Sequence, residues 1–117
     1  LKTRKWIKLK RQVMELTKES KYEEALGIAE EANNFAITKF GENSYERAES
    51  LVQIWFSEFQ LGKIGEAKEY YEKSIEAYES SVLDKEFKKL SYVTCLFGLA
   101  SLHIKQTNNN YNINRRI

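Results

Sequence analysis

Residues 20–25 read SKYEEA and residues 62–67 read GKIGEA. Ala25 and Ala67 are 42 residues apart, with Tyr22 opposite Ile64 and Ser20 opposite Gly62. On both sides the order is helix, tight turn, helix. Self-similarity at a fixed spacing of this size, with one helical hairpin per period, predicts a solenoid of stacked hairpins.

Working outward, Trp6, Leu9, Val13 and Leu16 recur at three- and four-residue steps and predict a first helix over about residues 3–19. Ser20 followed by Glu23 has the form of a capping box and predicts the start of a second helix, whose slim face is Ala25, Ala29, Ala32 and Ala36. Gly41 is the expected left-handed stop, and Asn43 with Glu46 repeats the cap pattern ahead of a third helix carrying Leu51, Ile54, Trp55 and Phe59. Gly62 breaks that helix before a fourth stripe, Ile64, Ala67, Tyr71, Ile75, Tyr78 and Val82. Leu90, Val93, Leu96, Phe97, Leu99 and Ala100 predict a fifth helix ending near residue 106. The short connections predict antiparallel neighbours.

The expected fold class is therefore all-α: a helical-hairpin solenoid of about five antiparallel helices. Units of about 6–41 and 48–83, with a partial third over about 90–106, make one repeat domain over residues 1–106. The asparagine-rich run after residue 106 has no apolar period and predicts a flexible polar tail over 107–117.

Composition agrees with this reading. Proline is absent and glycine occurs five times, whereas an all-β chain would need many turn residues. The single cysteine, Cys95, excludes an internal disulfide and favours a reducing, cytoplasmic setting. No apolar run is long enough to cross a bilayer, so no membrane partner is expected. A start at Leu1 suggests a piece excised from a longer protein. The net charge of +2 is unevenly placed: Lys2, Arg4, Lys5, Lys8, Lys10 and Arg11 all precede the first carboxylate, Glu15. That run reads either as the solvated face of the first helix or as an arm for nucleic acid or an acidic partner.

KYEEAL and GKIGEAKEYYEKSIEAY resemble the second-helix phrase of tetratricopeptide repeats. The longer period and the bridging FGENSYERAESL resemble the kinesin-light-chain-like branch of that family. The resemblance covers roughly residues 6–106, including VTCLFGLASLHIKQ as the first helix of a third unit. It places Tyr22, Ala25, Ala32, Gly62, Ile64, Ala67 and Tyr71 at structural repeat positions. Trp55 stands where the family usually keeps a small residue, Glu58 where an aromatic is usual, and the unit-closing proline is missing.

In such a superhelix the first helix of each unit lines a concave groove. The resemblance thus implies a partner-binding groove of Lys10, Met14, Val52, Phe56, Phe59, Gln60, Phe97, Ser101, Ile104 and Lys105, with Thr17 beside them. Aromatics there would anchor a peptide and lysines would steer acidic ligands. The carboxylate clamp of chaperone-tail-binding repeats has no counterpart, since Lys10 is followed by Met14 and Phe56 stands at the next position. Phe56 and Phe97 read equally well as core residues.

Nothing in the sequence points to an enzyme. The lone His103 has no Cys or second His nearby, Cys95 reads as a small buried hydrophobe, and Gly62–Gly65 is too short for a phosphate loop. No cofactor or metal is expected. The expected function is a protein-interaction module that binds a peptide or partner segment as a scaffold or adaptor. The exposed end of the stack, with Phe97 and Ile104, is expected to pack against another copy or a continuing array. The alternative is a sensory or regulatory repeat segment of a larger regulator, meeting nucleic acid or an acidic surface through the basic first helix. Binding to nucleic acid is the less expected of the partner classes.

Overall fold

Trp6, Leu9 and Val13 bury one face of the first helix, as their spacing requires. The computed structural model describes residues 1–81. Among these residues the chain is all-α, with four helices and no strand: α1 (Lys2–Lys18), α2 (Tyr22–Phe40), α3 (Tyr45–Gln60) and α4 (Ile64–Ser80). The predicted fifth helix, the partial third unit, Val82 and the tail lie outside the described residues.

Helix α1 packs against α2, α2 against α3 and α3 against α4, and α1 also touches α3. Three-residue connections join α1 to α2 and α3 to α4, so each pair folds back as an antiparallel hairpin. Ala25, Ala29, Ala32 and Ala36 are wholly buried, and this row of methyl groups lets α2 lie close between its neighbours. The remaining core comes from Ala48, Leu51, Ile54 and Trp55 of α3 and Ala67, Tyr71, Ala77 and Tyr78 of α4.

The two hairpin turns are built alike. Lys21 N–H donates to the Leu16 carbonyl and Ser20 N–H to Thr17, at 2.9 and 3.0 Å. Forty-two residues on, Lys63 N–H donates to Glu58 and Gly62 N–H to Phe59, at 2.9 and 3.1 Å. Each set is a Schellman arrangement, closed by a residue of positive φ: Ser20 at 60° and Gly62 at 82°. The spacing read from SKYEEA and GKIGEA is thus also a spacing of backbone hydrogen bonds.

Three capping details differ from the sequence reading. Ser20 does not cap α2; it is the left-handed residue that closes α1, and Lys21 precedes α2 without a side-chain cap. Ser20 adopts positive φ because only then can Lys21 N–H reach back to the Leu16 carbonyl. Helix α3 is capped by Ser44 and not by Asn43: the Ser44 hydroxyl accepts from Arg47 N–H at 3.1 Å and donates to the Gly41 carbonyl at 2.8 Å. Ser44 holds the extended backbone a cap needs, with φ −95° and ψ 151°. Gly41 ends α2 as expected at a positive φ of 100°, but its ψ of 165° lies outside the compact left-handed helical conformation. Its N–H is shared between the Ala36 and Ile37 carbonyls.

Candidate functional site

The surface shared by α1 and α3 begins at Trp6. Its indole N–H donates to the Ser50 hydroxyl at 3.2 Å, and Ser50 in turn donates to the Glu46 carbonyl at 2.8 Å. The Trp6 ring meets the edge of Tyr45 with centroids 6.4 Å apart, and Tyr45 donates from its hydroxyl to Glu49. Burial and that carboxylate push the Tyr45 phenol above its ordinary pKa. Lys10 lies 5.2 Å from the Trp6 ring centroid and 3.5 Å from the Glu49 carboxylate. Sequence reasoning placed Lys10 in the groove and Trp6 on the apolar stripe of the first helix, but missed Glu49, which takes up the lysine's charge, and Tyr45, which donates to that carboxylate. A carboxylate facing its lysine across two helices leaves no periodic signal.

Further along, the predicted groove residues fall at matched positions on the two helices. Lys10 and Val52, Met14 and Phe56, and Thr17 and Phe59 are each 42 residues apart. Val52, Phe56 and Phe59 are half-buried and packed against the core, and Gln60 is half-buried beside them. Phe56 meets Trp55 edge to face with centroids 6.3 Å apart, and Trp55 meets Tyr71 at 5.7 Å. Phe56 therefore belongs to core and surface at once. Met14 is 50% exposed. Phe97, Ser101, Ile104 and Lys105 lie outside the described residues, as do His103 and Cys95.

The repeat positions are placed as follows. Ala25, Ala32, Ala67 and Tyr71 are buried, Tyr22 and Ile64 are half-buried, and Gly62 is the exposed turn residue. Trp55 is buried edge to face against Tyr71, so hairpin two carries two packed rings where hairpin one carries Val13 and Ala29. Glu58 occupies the position of Leu16 and is only 5% exposed, with Oε1 buried and unpaired among the described residues. Burial raises its pKa, and the carboxylates of Glu66, Glu30 and Glu69 raise it further against the opposing charge of Lys63.

Among the described residues no group of three or more His, Cys, Asp or Glu side chains is placed to hold a metal ion. No helix among them is long and apolar enough to cross a membrane. Compared with known proteins, the chain matches no family model, no curated protein and no solved structure.

Proposed function

We propose that the chain is a protein-interaction module of tetratricopeptide-like hairpins, stacked as a right-handed solenoid that continues into a fifth helix, and acting as a scaffold or adaptor in the cytoplasm. It takes a peptide or helical segment of a partner on the face where α1 and α3 run side by side. The observation that supports this reading is the pairing of Met14 with Phe56 and of Lys10 with Val52 at the repeat spacing, on two helices that touch. Half-buried aromatics anchored on a core present apolar area at low entropic cost, and such residues dominate binding energies. The solenoid reading rests on the duplicated turn hydrogen bonds and on α3 packing against both α2 and α4.

The test is a peptide-display selection on the full chain, followed by titration of the enriched peptides. Phe56→Ala should weaken them about tenfold or more while leaving the helical circular dichroism intact. Enriched peptides that bind the Phe56→Ala chain as tightly as the parent would reject the α1/α3 face.

A further inference from the structure

A second surface of α1 lies apart from the α1/α3 face and does not depend on it. Helix α3 is buried on more of its circumference than α1. Besides Leu51 and Trp55, it buries Ser50, Ile54 and Ser57. The Trp6–Ser50 hydrogen bond sets Ser50 of this face against the first hairpin, both of whose helices contact α3. The counterparts on α1, 42 residues earlier, are Lys8, Gln12 and Glu15, and all three are exposed. Here α1 and α2 leave an open depression of about 450 Å³, bordered by Arg4, Lys5, Lys8, Leu9, Gln12 and Glu31. A second depression of about 240 Å³ continues past Gln12 to Glu15, Leu16, Glu19 and Ile28.

We propose that this outer face of α1 docks an acidic helical segment of a partner protein. A helix is the shape that the equivalent face of α3 already receives from the first hairpin. The acidic character follows from charge. Helix α1 carries seven cations against one carboxylate, and the upper depression presents Arg4, Lys5 and Lys8 against Glu31 alone. Beyond Gln12 the sign reverses at Glu15 and Glu19, beside the apolar Leu16 and Ile28. The docked helix therefore places its carboxylates against Arg4–Lys8 and its apolar residues against Leu16 and Ile28.

A protein segment fits better than nucleic acid. Carboxylates outnumber cations four to one on α2, three to one on α3 and five to two on α4. A polyanion longer than the depression would run into that repulsion, whereas a short acidic helix would not.

The probe is a stapled alanine-based helical peptide with glutamates along one half of its face, titrated by fluorescence anisotropy into the full chain at low salt. A second peptide has every glutamate replaced by glutamine. The glutamate peptide should bind saturably, and Arg4→Glu with Lys8→Glu should weaken it about tenfold or more. The same charge reversal at Lys68 on α4 should leave binding unchanged, and the glutamine peptide should fail to bind. Equal binding by the glutamine peptide, or by the Arg4→Glu/Lys8→Glu chain, overturns the proposal. So does displacement of the peptide by a lower concentration of a single-stranded oligonucleotide, which would assign the face to nucleic acid. A dimer that excludes the peptide and dissociates in the double variant would assign it to a second copy. Should the double variant lose helicity, Arg4→Gln with Lys8→Gln and the salt dependence of peptide binding provide the same decision.

Discussion

Ser20 and Gly62 hold the same left-handed turn position 42 residues apart, at φ 60° and 82°. A non-glycine residue there crowds its Cβ against the backbone, at a cost of about 1–2 kcal/mol. Ser20→Gly should therefore raise stability by about 0.5–1 kcal/mol, the gain being reduced by the greater freedom of glycine in the unfolded chain. A Cβ at Gly62 would meet nothing within 4 Å, so Gly62→Ala should lose about 1 kcal/mol through backbone conformation alone. Urea denaturation of both variants checks the pair, and a destabilised Ser20→Gly would contradict the equivalence of the turns.

Glu58 makes stability depend on pH in a stated direction. Its folded pKa lies above the unfolded value, because burial and then Glu66 favour the neutral acid. The folded state thus keeps a proton that the unfolded state releases, so Glu58 should make stability fall as pH rises from about 4.3 through the raised folded value. Above that value its effect levels off. Glu58→Leu, which copies Leu16 of the first hairpin, should remove this decline and gain about 1–3 kcal/mol at neutral pH. Denaturation midpoints from about pH 4 to about pH 8 measure both quantities. A variant with the parent's pH slope would place the titration elsewhere.

What could be read in advance were features that repeat along the chain. The stripes of α1 through α4 and the 42-residue spacing are local or periodic, and Gly62 marks a backbone conformation that few residues adopt. Ser20 was misread because serine serves caps and turns alike, and the choice was made by the Lys21–Leu16 hydrogen bond across the turn. The burial of Glu58 and the pairing of Lys10 with Glu49 depend on which helix lies across from which. A composition of charged residues on helix faces does not encode that.

The tie between α1 and α3 has its own test. Trp6→Phe keeps most of the buried ring but removes the indole N–H that reaches Ser50. The expected loss is about 1 kcal/mol, and Ser50→Ala in the same background should add little more. The Lys10–Glu49 pair is partly solvated, so Lys10→Ala should cost less than about 1 kcal/mol and less still at high salt. A Trp6→Phe chain as stable as the parent would make the hydrogen bond incidental to the packing.

Hairpin one pairs a large residue on its first helix, Trp6, with a small one on its second, Ala36; hairpin two reverses the sizes, with Ala48 and Tyr78 at the corresponding positions. All four are buried, and each pair stands equally far from its own turn. The reversal predicts one volume at that level of a hairpin, divided between its two helices in a way that can be exchanged. Ala36→Tyr alone forces a ring into a site where the alanine is wholly buried, and overpacking of this kind costs about 1–3 kcal/mol. Trp6→Ala alone leaves a cavity and loses the bond to Ser50, at about 3–5 kcal/mol. The double variant copies the second hairpin's arrangement, so its loss should fall short of the sum of the two by about 1–3 kcal/mol. A double-mutant cycle by chemical denaturation measures that coupling. Simple additivity would mean that positions 6 and 36 do not share a packing site, and that the 42-residue equivalence holds for the turns but not for this level of the core.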